Sequence, residues 1–129
     1  GAYPAYLGMR DYHASLVNHI ELLEHTKSVC IFPEGKISVD VTQPTEAKGG
    51  IAFLAEQTKT DIIPVECIGL KQINWKNIVF FRRPTIEIRY KHILSIDTLI
   101  AKSVAAGFST GPEMYKHIAS QVMESVRSS

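Results

Sequence analysis

The chain has 129 residues, with 14 Lys+Arg against 13 Asp+Glu, 45% hydrophobic residues and 21% charged. That balance excludes a disordered or low-complexity polymer, the length fits one domain, and the net charge of +1 argues against a dedicated nucleic-acid binder, whose affinity rests on neutralising phosphates. The average conceals an asymmetry: from Lys71 to Lys91 six cations meet one acid, a net +5, while the other residues carry 8 cations and 12 acids, a net −4.

Residues 2–6 alternate aromatic and small side chains, compatible with a short strand ended by Leu7-Gly8. From Arg10 onward, the spacing of Tyr12, Leu16, Ile20 and Leu23 predicts an amphipathic helix ending near Thr26. Val29-Cys30-Ile31-Phe32, a compact apolar run closed by Pro33, reads as a fully buried strand. A polar loop over 34–45 follows, and Gly49-Gly50 opens a second helix whose apolar face is Ile51, Leu54 and Ala55. Residues 62–68 suggest the next strand, with Pro64 marking an edge or a strand start. Two further strands are expected at 78–81 and 85–90, the latter alternating Ile86 and Ile88 with Glu87 and Arg89. Thr110-Gly-Pro-Glu113 has the spacing of a capping box, and the last helix carries Met114, Ile118, Val122 and Val126 at steps of four. This order predicts an α/β fold, a mixed and largely parallel sheet flanked by helices.

Cys30 and Cys67 sit inside apolar runs and read as two buried thiols of a reducing cytosol rather than as a disulfide. No apolar run approaches the roughly 18 residues that span a bilayer, and no charged-then-apolar leader is visible. The opening Gly-Ala-Tyr-Pro, without an initiator Met, reads as the middle of a longer protein.

The chemistry concentrates after the first apolar run. In an open α/β sheet, ligands gather outside the carboxyl ends of strands, where Pro33-Glu34-Gly35 would fall. Gly35 permits a tight turn that presents Glu34, and Lys36 and Ser38 follow in the same loop. Lys48 immediately precedes Gly49-Gly50, where a helix start exposes unpaired amides suited to an anion. On the residues alone, a solvated Glu-Gly turn accounts for the same pattern.

Ile31-Phe-Pro-Glu-Gly35, then Ala47-Lys-Gly-Gly50, then Ile62-Ile-Pro-Val65, in that order, resembles the glycerolipid acyltransferase family. Its best-known members acylate glycerol-3-phosphate or 1-acylglycerol-3-phosphate. The resemblance implies a glycerol-3-phosphate acyltransferase-like αβ fold, incomplete here, with residues 1–129 as the C-terminal portion of a single domain. It further implies an O-acyltransferase of phospholipid biosynthesis. Such an enzyme moves an acyl group from acyl-CoA or acyl-carrier protein to a hydroxyl of a lysophospholipid or glycerolipid acceptor, with no metal and no tightly bound cofactor. Acceptor-binding roles would fall on Glu34, Gly35, Lys36, Ser38, Lys48 and Gly49, with Arg10 nearby.

In that family a His-x4-Asp block performs the transfer, the histidine taking the acceptor proton and the aspartate orienting the ring. The resemblance expects this block before Gly1, so no catalytic residue is assigned in this chain and the isolated stretch is expected to be inactive. His92-x4-Asp97 has the spacing but follows the other blocks and reads as coincidence. His13 and His19 are near-misses on the first helix, read as solvent-facing or partly packed. The family's two phosphate-holding arginines fall on Leu7 and Ile37, and Lys36 stands where a threonine is usual. Arg10 and Lys36 are the compensating cations, although a lysine offers a point charge rather than a planar fork. The acceptor implied is an uncommon phosphate lipid or a lipid without phosphate. The rival reading is a catalytically inactive relative that binds anionic lipid or a protein partner, and a third is a phosphate-binding domain unrelated to lipids.

Trp75, Lys76, Arg82 and Arg83 combine a ring with cations in the manner of a membrane interface, while Phe80 and Phe81 read as inward-facing. The expected location is cytoplasmic, peripheral at the inner face of the membrane, with no nucleic-acid partner.

Overall fold

The computed structural model describes residues 11–35, 46–69 and 85–128. The strands expected at 2–6 and 78–81 lie outside the described residues. Helix α1 runs Tyr12–Glu24. Its start is fixed by Asp11, whose Oδ1 accepts from the amides of His13 at 2.9 Å and Ala14 at 3.4 Å, satisfying two donors that the first turn leaves unpaired. The predicted stripe faces inward: Leu16 and Ile20 are buried, and Tyr12 and Leu23 half-buried. His13 is exposed, whereas His19, expected at or near solvent, is buried beside that stripe.

Beyond α1 the expectation of a buried strand fails. Residues 29–32 form no strand; Cys30 is exposed and Phe32 is 79% exposed. A buried strand needs ladder partners and cover on both faces, and among the described residues nothing pairs with this run before Pro33 ends it. Only Ile31 finds apolar neighbours, against the Leu16, Ile20 and Leu54 cluster that joins α1 to the next helix.

Helix α2, Gly50–Thr58, buries Ala52, Leu54 and Ala55. It leads to β1, Val65–Ile68, which begins directly after Pro64. Strand β2, Glu87–Tyr90, returns antiparallel to it in the register Val65↔Tyr90, Glu66↔Arg89, Cys67↔Ile88 and Ile68↔Glu87. The pairing extends through the Lys91 amide to the Pro64 carbonyl at 3.0 Å and a two-bond bridge between Ile62 and Leu94. There His92 and Ile93 oppose Ile63 alone, one extra residue in the fashion of a β-bulge. The fold is therefore mixed α/β, but the largely parallel sheet is not what forms among the described residues: the one strand pair is antiparallel. The 29–32 run, expected to be a strand of that sheet, does not pair among the described residues.

The two faces of this ladder differ. One presents Val65, Cys67, Ile88 and Tyr90 to solvent, so the second thiol is also exposed rather than buried. On the other, Lys91 pairs with Glu66 at 3.1 Å and donates to the Ser128 carbonyl at 2.6 Å, tying the sheet to the C-terminal helix. Arg89 and Glu87 meet at 2.6 Å, and this hydrogen bond, with the guanidinium charge, holds the Glu87 carboxyl below its ordinary range. Both are exposed, so the pair adds little stability.

Helix α3, Ile96–Ala105, was not anticipated. Its buried positions Ile96, Leu99 and Ser103 are spaced by three and four, but the serine breaks the apolar signal. The Ser103 hydroxyl donates to the Leu99 carbonyl at 2.9 Å and lies 3.0 Å from His117 Nδ1 on the final helix. That helix, α4, spans Pro112–Arg127 and buries Met114, Ile118, Ala119, Val122 and Met123, with Val126 half-buried. The expected capping box is not made. Gly111, at φ 141° and ψ −170°, is the N-cap, no side chain caps the helix, and Pro112 is its first residue. That backbone conformation is open to glycine alone, and it places Thr110 one residue too early to cap. The main core joins α2, α3 and α4 through Ala52, Ala55, Ile62, Ile96, Leu99, Met114, Ile118 and Val122.

Candidate functional site

The first sequence block folds into a four-residue turn. The Gly35 amide donates to the Phe32 carbonyl at 3.0 Å, with Pro33 and Glu34 as the central residues and Gly35 at φ 62°. Proline at the second position and glycine at the fourth suit such a turn, and the left-handed conformation favours glycine. Glu34 is half-buried at its crest.

The second block closes on the first. The Lys48 amide donates to the Pro33 carbonyl at 2.9 Å. Its side chain then lies across Gly35: a β-carbon on residue 35 would stand 3.0 Å from Lys48 Cε and Nζ and 3.1 Å from Cδ. Two motifs separated by residues 36–45 thus meet through one backbone hydrogen bond and one side-chain contact. Lys48 is exposed and, among the described residues, makes no ion pair. Its ammonium carries three donors over the turn, and such a cation can hold an oxyanion.

Gly49 also has a packing role. It is buried at φ −65°, and a β-carbon there would stand 2.7 Å from Tyr115 Cβ, 3.1 Å from the Tyr12 hydroxyl and 3.2 Å from the Tyr115 backbone carbon. Glycine is required because α4 crosses the start of α2 at this point. Around the crossing, Tyr12 stacks on Phe53 at 5.5 Å, and Tyr115 stands edge-on to both, at 6.0 and 5.8 Å. The Tyr115 hydroxyl donates to Glu56 Oε2 at 2.6 Å. Partial burial, then this bond, push the phenol from its ordinary 10.0 up to about 12.

The structure therefore brings together Glu34, Gly35, Lys48 and Gly49. Arg10, Lys36, Ser38, Trp75, Lys76, Arg82 and Arg83 lie outside the described residues, as do Leu7, Ile37, Phe80 and Phe81. Of the six cations counted between Lys71 and Lys91, two are described, and both are engaged, Arg89 by Glu87 and Lys91 by Glu66. His92 is exposed in the bulge, and Asp97 is exposed in the first turn of α3. Among the described residues no group of His, Cys, Asp or Glu is arranged to hold a metal ion, and no helix is long and apolar enough to cross a membrane.

Sequence reasoning did not single out Tyr115, packed against Gly49, or its hydrogen-bond partner Glu56. A signal existed on α4: beside the stripe of Met114, Ile118 and Val122 runs a second one, Tyr115, Ala119 and Met123, also at steps of four. Its two lower members pack on Ala47, so the second stripe faces the 47–49 segment.

Residues 7–68 match the family model described as Acyltransferase. No curated protein and no solved structure matches the chain. The matched stretch contains both blocks of the turn and the Pro64 strand start, while α3 and α4 lie beyond it. The match to the Acyltransferase model over residues 7–68 is consistent with a fragment of the glycerolipid acyltransferase family.

Proposed function

We propose that this chain supplies the acceptor-binding elements of an O-acyltransferase of phospholipid biosynthesis, which passes an acyl group from acyl-CoA or acyl-carrier protein to a hydroxyl of a lysophospholipid or glycerolipid. The observation that carries this reading is the Lys48 side chain laid across the Glu34-Gly35 turn. It unites two motifs of the family resemblance into one cation-and-carboxylate site, inside the stretch that matches the Acyltransferase model. The ammonium would meet an acceptor oxyanion, and Glu34 would accept from a glycerol hydroxyl. Lys36, Ser38 and Arg10 complete the proposed acceptor set. The proton-abstracting His-x4-Asp is proposed to lie on the chain preceding Gly1. No metal or tightly bound cofactor enters the scheme.

Trp75, Lys76, Arg82 and Arg83 are proposed to touch anionic lipid from the cytoplasmic side, as a peripheral contact at the inner face. The basic and aromatic composition of that segment supports this, each such cation adding about 1 kcal/mol of attraction near an anionic surface. A second reading, an inactive relative that binds anionic lipid or a partner, is favoured by Leu7 and Ile37 standing where the family's arginines are expected.

The test uses the full-length protein with acyl-CoA and a panel of lysophospholipid and glycerolipid acceptors. Glu34→Ala should abolish transfer while the protein remains folded, and unchanged turnover in that variant removes the assignment. A wild-type protein that transfers nothing, yet sediments with anionic vesicles in a salt-dependent way, establishes the second reading.

A further inference from the structure

The 46–49 segment has no regular structure of its own before α2 begins, yet it is held on one side along its length by α4. Ala47 is buried with Ala119 and Met123. Gly49 is pressed against Tyr115, one turn nearer the start of the helix. At the rim, Glu46 lies 3.8 Å from Lys116. Residues 47 and 49 face α4, and the residue between them, Lys48, faces away onto Gly35.

We propose that Tyr115 is a positioning residue for the acceptor site: it seats Gly49 and thereby fixes where the Lys48 ammonium lies over the Glu34-Gly35 turn. It belongs to α4, outside the stretch that matches the Acyltransferase model, so the second half of the chain holds the site of the first. The ring is locked from three directions, by Tyr12, by Phe53 and by the hydrogen bond to Glu56. A rigid aromatic with two soft torsions loses little entropy in that setting and transmits the position of α4 to the turn. Ala119 and Met123 bury Ala47, whereas the atoms nearest the Gly49 position are those of Tyr115, with the Tyr12 hydroxyl beside them, so Tyr115 is the α4 residue that sets where the segment enters α2.

The positioning role stands independently of what the site binds; its consequence for an acceptor rests on the function proposed above. Amide hydrogen exchange on the 129-residue chain separates the two, because the Lys48 amide, bonded to the Pro33 carbonyl, reports whether the segment is seated on the turn. Tyr115→Ala should raise the exchange rate of that amide about tenfold relative to the Ile118 and Val122 amides of the same helix. Tyr115→Phe, which keeps the ring, should restore it to within about twofold of wild type. Should the alanine variant fail to fold, Tyr115→Leu reads the same way, since it fills volume without standing edge-on to both rings.

A change at Lys48 no larger than that at Ile118 and Val122, or a phenylalanine variant as open as the alanine one, overturns the proposal. Glycerol 3-phosphate, titrated against the Gly35 and Lys48 amide resonances, supplies the second arm. Selective opening with about tenfold weaker binding in Tyr115→Ala supports both ideas. Selective opening with no binding by wild type or variant upholds the positioning role and removes glycerol 3-phosphate as the ligand of the site.

Discussion

The Lys48 side chain lies against Gly35 so closely that a β-carbon there would stand 3.0 Å from its Cε and Nζ. The glycine is therefore needed twice, once for the turn at φ 62° and once for the lysine above it. The two requirements separate experimentally because one concerns backbone strain and the other a flexible side chain.

Gly35→Ala should lower stability by roughly 1 kcal/mol, from the left-handed backbone alone. The lysine end can shift aside at little energetic cost, because its contacts fall at 3.0–3.1 Å on a flexible side chain. Urea denaturation of Gly35→Ala, Lys48→Ala and the double variant distinguishes these effects. The double variant should keep the stability loss, and a return to wild-type stability would show that the clash, not the backbone, was responsible.

The adjacent glycines of α2 should respond with opposite signs. Gly49→Ala forces a β-carbon to within 2.7 Å of Tyr115 Cβ and 3.2 Å of its backbone carbon, and should cost about 1–3 kcal/mol as overpacking. Gly50→Ala meets only Leu16 Cδ1 at an ordinary 3.5 Å, at the first residue of a helix, and should stabilise by up to about 1 kcal/mol. Denaturation midpoints of the two single variants settle the comparison.

Much of this could be read from the sequence where the signal is local. The four-residue stripes of α1 and α4 place Leu16, Ile20, Met114, Ile118 and Val122 in the core because helical periodicity depends on neighbours within two turns. The meeting of Glu34-Gly35 with Lys48 was foreseen as one loop region, but its geometry was not. Strand pairing is decided by residues far away in the chain. The strand order suggests a largely parallel sheet, whereas the antiparallel pairing of β1 with Glu87–Tyr90 is chosen by contacts that no local pattern encodes. The packing role of Gly49 was not legible for the same reason, since its partner Tyr115 lies in α4.

Tyr115 gives the protein an alkaline limb. Its folded pKa is raised, from 10.0 to about 12, so below pH 10 folded and unfolded chains bind its proton alike and its contribution is fully present. As pH rises from about 10 towards 12 the unfolded chain releases the proton first, and stability falls with pH. Tyr115→Phe should flatten that part of the stability–pH curve. A variant whose alkaline limb overlays wild type would contradict the assignment.

Both thiols are open to solvent, Cys30 before the turn and Cys67 on the apolar face of β1. A charged aromatic disulfide reagent should label both in the native protein, at rates close to those in urea. Protection of Cys67 on addition of anionic vesicles, with Cys30 unchanged, would show that the Val65, Ile88 and Tyr90 face is covered by lipid.

The hydrogen bond from the Lys48 amide to the Pro33 carbonyl has a consequence for how the loop between the blocks can change. Its two ends are clamped together by residues outside it, Gly35 on one side and the α4-seated Ala47 and Gly49 on the other. The frame that holds Lys48 over the turn is thus built from residues on either side of the 36–45 stretch, and a change in the length of that stretch leaves its anchors in place.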